Sequence, residues 1–481
     1  METNKKAKTK VFWVCVIASL GGLLFGLDQG FINGSLGFIQ KTFQWTTAQG
    51  ESFASIILIG AIIGAFFSGF ISKAIGRKNT LFLAALFFSI FTIWGAITDS
   101  SAVLHFTRVC LGVAVGCASF VVPLYLSEIA PAKFRGGYIS LYQFTITIGI
   151  FTIYLSNTLI GKISSGDDPW RLMLGVICMP AMIMLVLIFA IPKSPRWLML
   201  KGREKEALEV FKKTRETEAE IENELAEIKK SLGKEEGPEK MGPIAMLGKS
   251  YFSKIILLGI LLQLLQQLSG INCVIYYSTI IFEKAGFSNP SVATVVCGLV
   301  NMLTTLIAIF FCDKWGRKPI IYLGLALMFL TLVLMATEFI RLENGMQMHN
   351  AGQTIILGSC LVYLLAFGFS LGPLIWVICA EIFPLEARDF GVTVTTMANW
   401  IGNFFVVRFS LSIMENWGGS TLFFFFAFFC LLGFVLIKGY TPETKGISLE
   451  ELEINLKKVN IRLVLNFLKI VRDTKRKFCY K

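Results

Sequence analysis

The chain has 481 residues, of which 54% are hydrophobic and only 16% charged, and it contains 43 Phe. Apolar runs of about twenty residues recur end to end, which excludes a soluble domain. The net charge of +13 is concentrated in loops, and no nucleic-acid motif accompanies it.

A helix needs about 20 apolar residues to cross ~30 Å of hydrocarbon. On that measure the first half holds six spans, at 11–34, 51–72, 79–98, 102–127, 137–160 and 169–192. After a polar interruption six more follow, at 252–282, 291–312, 318–340, 353–380, 389–414 and 419–439. The first run is too long for a cleaved leader and lacks a small-residue cleavage site, so it reads as a retained span. Basic residues crowd alternate loops: Lys5 to Lys10, Arg77 and Lys78, Lys133 and Arg135, then Lys314, Arg317 and Lys318. The positive-inside rule then expects both termini and the 193–250 interruption in the cytoplasm of a cell, with the chain in its plasma or bacterial inner membrane. The organisation expected is a terminus at 1–10, a six-helix bundle at 11–192, a linker at 193–250, a second bundle at 251–439 and a tail at 440–481. Within the linker, helix formers over Arg203–Lys230 predict two short amphipathic helices. The tail from Ser448 has apolar residues at helical spacing ringed by Lys and Arg. It suits an anionic lipid leaflet or, equally, a solvated tail. Ten of the eleven cysteines fall inside spans without metal spacing and read as small apolar packers.

The two bundles share punctuation. Lys73-Ala-Ile-Gly76-Arg77-Lys78 after the second span is echoed by Asp313-Lys-Trp-Gly316-Arg317-Lys318 after the eighth. Glu128-Ile-Ala-Pro131 with Arg135 is echoed by Glu381-Ile-Phe-Pro384 with Arg388, Glu and Arg being seven apart in both. Duplication on this scale is a trace of carriers built from repeats, with a substrate site between the halves near mid-membrane.

Three groups of residues carry chemistry. Asp28 lies inside the first span, where a carboxylate requires a partner, a water path or a proton. Arg108 sits about six residues into the fourth span, which runs the other way, so the two charges lie at similar depth. A carboxylate that meets arginine in one state and apolar surroundings in another changes its proton affinity through a cycle, which is what proton coupling needs. The alternative is a static ion pair bracing two helices. In the seventh span, Gln263, Gln266 and Gln267 share a helical face, and Gln266 lies ~21 Å along the helix from residue 252, near the bilayer middle. Amides both donate and accept, so they suit a ligand covered in hydroxyls; bonding between helices is the plainer reading for a single one. Trp376 follows Gly372-Pro373, a pair that breaks a helix where it lines a cavity. His105 and His349 form no catalytic array, and nucleophile, metal and acid–base sets are all lacking, so an enzyme is not expected.

With these motifs, and with Pro192-Lys-Ser-Pro195-Arg196, Gln266-Gln-Leu-Ser-Gly270-Ile-Asn272 and Pro442-Glu-Thr-Lys-Gly446, the chain resembles the sugar porter branch of the major facilitator superfamily from residue 11 to about 450. The resemblance implies an all-α fold of twelve transmembrane helices in two pseudo-symmetric bundles. It implies import of a monosaccharide, hexose or pentose, by rocking of the halves, with protons as coupling ion and no cofactor. By the same resemblance Gln143, Gln266, Gln267, Asn272, Asn301, Trp376 and Asn399 would contact the sugar, with Trp400 beside them. Phe25, Tyr276 and Tyr277 match outer gates. Arg77, Glu128, Arg135, Asp313, Arg317, Glu381 and Arg388 match a cytoplasmic latch between the halves. An Asp at position 28 looks like the proton-linked members; a facilitative uniporter, or a sugar sensor using the carrier fold, remains the alternative. Lys73 and Ala74 depart from the acidic pattern of the first loop, and Lys193 replaces the usual Glu of the Pro-Glu-Ser-Pro-Arg element. A monomer is expected, with sugar, proton and lipid as its partners and no nucleic acid.

Overall fold

A computed structural model describes residues 2–131, 135–164, 168–235, 250–311, 316–383 and 388–441. In chain order the helices are α1 (Glu2–Phe43), α2 (Thr47–Ile75), α3 (Arg77–Ile97), α4 (Ser101–Ile129), α5 (Arg135–Ile163) and α6 (Pro169–Leu187). Three linker helices follow, α7 (Pro195–Leu200), α8 (Glu204–Thr214) and α9 (Glu218–Glu235). The second bundle comprises α10 (Ser250–Leu268), α11 (Ile271–Lys284), α12 (Pro290–Phe311), α13 (Arg317–Glu343), α14 (Asn350–Phe369), α15 (Leu371–Glu381), α16 (Arg388–Trp417) and α17 (Gly419–Tyr440). No strand occurs among the described residues. With α10 and α11, and α14 and α15, each making one crossing, eleven spans among the described residues are long and apolar enough to cross a membrane, and the apolar α12, shorter over its described side chains, makes the twelfth. Large apolar side chains such as Phe70, Val186, Phe428 and Val435 point outward on these helices, where lipid rather than water would meet them.

Lipid removes the hydrophobic drive between helices, so close approach depends on small residues. In the first bundle α1 packs on α5, α2 on α4 and α3 on α6; in the second, α10 and α11 pack on α16, α12 on α14 and α13 on α17. The order of pairing is the same, as the repeated motifs require. Gly60 and Gly64 of α2 face Gly112 and Gly116 of α4 so closely that a Cβ at Gly112 would stand 2.0 Å from the Ile57 carbonyl oxygen.

Two spans are broken, and the breaks shape the centre of the molecule. Gly270 adopts φ +97°, which separates α10 from α11, and a Cβ there would meet the Phe426 ring. The second break falls at Ser370 rather than at Gly372-Pro373. Proline cannot donate to the carbonyl four residues back, so the ladder stops before it, and Pro373 falls in the first turn of α15, where no donor is needed. α1 begins at Glu2, nine residues before the apolar run, because a Lys-rich segment continues the helix outside the hydrocarbon. The linker carries a one-turn helix, α7, ahead of the two expected, started by Pro195 with Ser194 capping Trp197 N. Lys8, Pro131, Tyr138 and Glu216 line one hollow, which places the start of α1, the end of α4, the start of α5 and the linker on one face. We call it the terminal face and its opposite the distal face. Cys479 and the basic stretch from Ser448 lie outside the described residues.

Candidate functional site

Asp28 and Arg108 meet. Arg108 Nη1 donates to Asp28 Oδ1 at 2.6 Å, with both side chains buried between α1 and α4. Phe31 and Phe53 flank the guanidinium, their ring centroids 5.7 and 5.4 Å away. The contact is single: Arg108 Nε and Nη2 are buried with no partner among the described residues. Arg108 therefore depends on this one carboxylate for compensation.

From the neighbouring residue of α1, amides join in a chain. Gln29 Nε2 donates to Asn272 Oδ1 (2.7 Å), Asn272 Nδ2 to Gln267 Oε1 (2.5 Å) and Gln267 Nε2 to Asn399 Oδ1 (2.9 Å). Asn399 Nδ2 reaches Gln263 and Gln266 at 2.6 Å each, and Gln266 Nε2 donates to the Leu371 carbonyl at 2.8 Å, just past the break. Five amides of one bundle thus converge between the two helix breaks, Gln266 also donating to the Leu371 and Gly372 carbonyls at the start of α15. Each is nine-tenths or more buried. Among these, Gln263 keeps an unpartnered nitrogen, and Trp400 beside Asn399 keeps an unpartnered Nε1. Phe25 of α1 and Trp400 of α16 contact across the halves with centroids 5.8 Å apart.

The other expected residues scatter more widely. Asn301 is buried in α12 without joining the amide chain. Gln143 of α5 and Trp376 of α15 are exposed, Trp376 by 40%. Tyr277 is buried and donates to the Val407 carbonyl at 2.6 Å, a bond within the second bundle, while Tyr276 is buried close enough to Asp28 and Arg108 to sense both charges.

At the terminal face Arg77 forks onto Glu128, Nε to Oε2 at 2.9 Å and Nη2 to Oε1 at 2.8 Å, and Ser194 Oγ also donates to Glu128. This network lies inside the first bundle and ties α3, α4 and the linker together. Lys73, in the departing loop, offers its carbonyl to Trp197 Nε1 at 3.1 Å, and Lys193 pairs weakly with Glu206 at 3.9 Å. Arg317 opens α13, Arg135 opens α5, Glu381 closes α15 and Arg388 opens α16. The side chains of Arg135, Glu381 and Arg388, and all of Asp313, lie outside the described residues.

Bonds between the halves gather toward the distal face. Asn33 Nδ2 donates to the Ile275 carbonyl and to Ser278 Oγ, each at 2.7 Å, and its Oδ1 accepts from Thr279 N at 2.9 Å. Glu51, fully buried at the start of α2, accepts from Leu411 N (2.6 Å) and Ser412 N (2.9 Å), and from Ser412 Oγ, with Arg408 Nη1 at 3.5 Å. Sequence reasoning missed this lock, as it missed Gln29. The depth comparison that paired Asp28 with Arg108 applies equally to Glu51, near the distal end of one span, and Arg408, near the distal end of another.

Residues 14–456 match the model of the "Sugar (and other) transporter" family. The chain belongs to that family. The galactose-proton symporter of Escherichia coli is 42% identical to this sugar-transporter family member, over 95% of this chain and 96% of that protein. The arabinose-proton symporter of E. coli is 37% identical over 92% of each. Among solved structures, the inward open form of the xylose transporter XylE from E. coli superposes with a TM-score of 0.79 at 30% identity, covering 92% of this chain and 99% of that one. This family member is thus a multi-pass membrane transporter with the twelve-helix major facilitator fold, and not an enzyme.

Proposed function

We propose that this chain couples the movement of a monosaccharide to that of a proton, by alternating access, with both termini in the cytoplasm. The observation that carries the reading is the position of the Asp28–Arg108 pair on the same turn of α1 as Gln29, which bonds the amide chain. The proton group thereby shares a helix turn with a side chain that bonds directly to the amide chain.

In the cycle, the distal side opens first and Asp28 takes a proton from outside. A sugar then displaces the amides from one another. Each amide exchanges a neighbour for a hydroxyl, so binding is close to balanced and the sugar can leave again. The halves rock, the distal lock of Asn33 and Glu51 closes, and the terminal side opens. Arg108 meets Asp28, favours its charged form and drives the proton off. The observed arrangement, distally locked with the pair formed, corresponds to the state after release. Gln143 and Trp376, exposed on α5 and α15, would face the cavity left open toward the terminal face. The names of the two E. coli relatives support the pairing of sugar with proton, and they make galactose and arabinose the first sugars to try.

The test uses purified protein in proteoliposomes. Asp28→Asn should abolish uptake against a gradient while leaving sugar counterflow. A variant that still concentrates sugar under an imposed pH gradient would show that Asp28 is only a brace. A competition panel of galactose, arabinose, xylose and glucose against labelled galactose then ranks the substrates.

A further inference from the structure

A second hollow lies between the halves on the distal side of the Asn33 lock, with a volume of about 170 Å³. That is well above the ~10–15 Å³ that one water requires. Its wall is built of hydroxyls and amides: Tyr154, Asn157 and Thr158 of α5 face Thr279 of α11 and Ser291 and Thr294 of α12, with Asn289 just ahead of α12. Among the described residues, Lys162 is the one charged group lining it. Phe38 offers an aromatic ring. Asn157 is 4% exposed, and its Nδ2 is committed to the Phe31 carbonyl at 3.1 Å while its Oδ1 has no partner. The hydroxyls bond mostly to each other and to backbone, Thr279 to Thr294 at 2.9 Å and Thr158 to the Ser291 carbonyl at 3.4 Å, the last across the halves.

We infer that this vestibule is a second, weak site for a neutral monosaccharide, occupied only while the distal side is closed. The inference rests on the sugar reading above. Hydroxyls and amides without a facing carboxylate suit a polyhydroxylated, uncharged ligand, and an aromatic ring suits the C–H face of a pyranose. The wall belongs half to α5 and half to α11 and α12, so parting the halves dismantles it. A ligand that binds one state alone stabilises that state. Sugar at high concentration on the distal side therefore holds the carrier in the closed form and slows its return.

The experiment measures initial uptake of labelled galactose into proteoliposomes across a wide range of outside concentration. The rate should pass through a maximum and then fall at least about twofold. In the Asn157→Ala/Thr158→Val variant the fall should vanish while the half-saturating concentration at the low end changes less than about twofold. Should that variant fold poorly, Thr158→Val alone and Ser291→Ala carry the same expectation in part. Equilibrium binding to a Gln266→Ala/Asn399→Ala protein supplies a second readout: weak saturable galactose binding should persist there and be lost on adding Thr158→Val. Simple hyperbolic uptake by the unaltered protein, a decline that survives the vestibule substitutions, or no residual binding without the central amides each overturns the site. These outcomes leave sugar transport standing, whereas absence of any sugar flux overturns both.

Discussion

At Asp28, a carboxylate and a guanidinium face each other at 2.6 Å in surroundings that solvate neither. Removing one partner of such a pair leaves a buried charge uncompensated, at about 3–5 kcal/mol. Arg108→Ala should therefore lower the melting temperature in detergent markedly, and the fall should be partly reversed in Asp28→Asn/Arg108→Ala, where no charge remains; additive losses would show that the two residues do not interact. Outside the membrane, Asp168 illustrates a different balance. It accepts from Thr42 at 2.6 Å, from Arg171 at 3.1 Å and from Trp170 at 3.1 Å, and these bonds, that from Thr42 foremost, hold its carboxyl below the usual range. A depressed carboxyl contributes stability above its unfolded value, near pH 4, and loses it as pH falls through the folded value. Asp168→Asn should thus reduce the melting temperature at neutral pH and flatten its dependence on acid below about pH 4. The sequence disclosed Asp28 and Arg108 because each is a charge at a depth where charges are rare. Glu51 and Arg408 escaped because they stand close enough to span ends to pass for interfacial residues, and only the folded chain brings them together.

Helices obey simpler rules, and most were legible. Length and hydropathy located the twelve crossings, since hydrocarbon demands a continuous apolar stretch. Their ends and interruptions were less readable. Hydropathy falls off at Lys10 while hydrogen bonding continues back to Glu2. The seventh span stays apolar through a glycine whose left-handed backbone divides it. Gly270→Ala should strain that turn and press on Phe426, and we expect weaker sugar affinity with assembly largely retained, read by counterflow at limiting sugar. Gly112→Val should do more damage, because its nearest neighbour is backbone that cannot turn aside. A cost of at least about 1–3 kcal/mol is expected, visible as early melting; unchanged melting would mean that α2 and α4 can separate freely.

For the whole molecule, the repeated motifs foretold two bundles, and the same order of helix pairing recurs in each. Which side would be shut was not legible, because closure depends on contacts between halves rather than on either half alone. Glu51→Gln removes the charge from an acceptor that binds two backbone N–H groups and a hydroxyl. Hydrogen bonds to a charged group contribute about 1.5–3 kcal/mol, so the distally open form should gain roughly tenfold or more in population. A single cysteine at Thr279 on an otherwise cysteine-free background, labelled from the distal side, would report it; equal labelling rates with and without the Glu51→Gln substitution would count against the lock. A proton on Asp28 would leave the Arg108 guanidinium with the acid's carbonyl oxygen as its one acceptor and no counter-charge, its Nε and Nη2 being already unpartnered among the described residues. In the arrangement observed, that uncompensated cation presses for loss of the proton, so the poverty of the arginine's surroundings, rather than any dedicated base, empties the ion site before the carrier turns back.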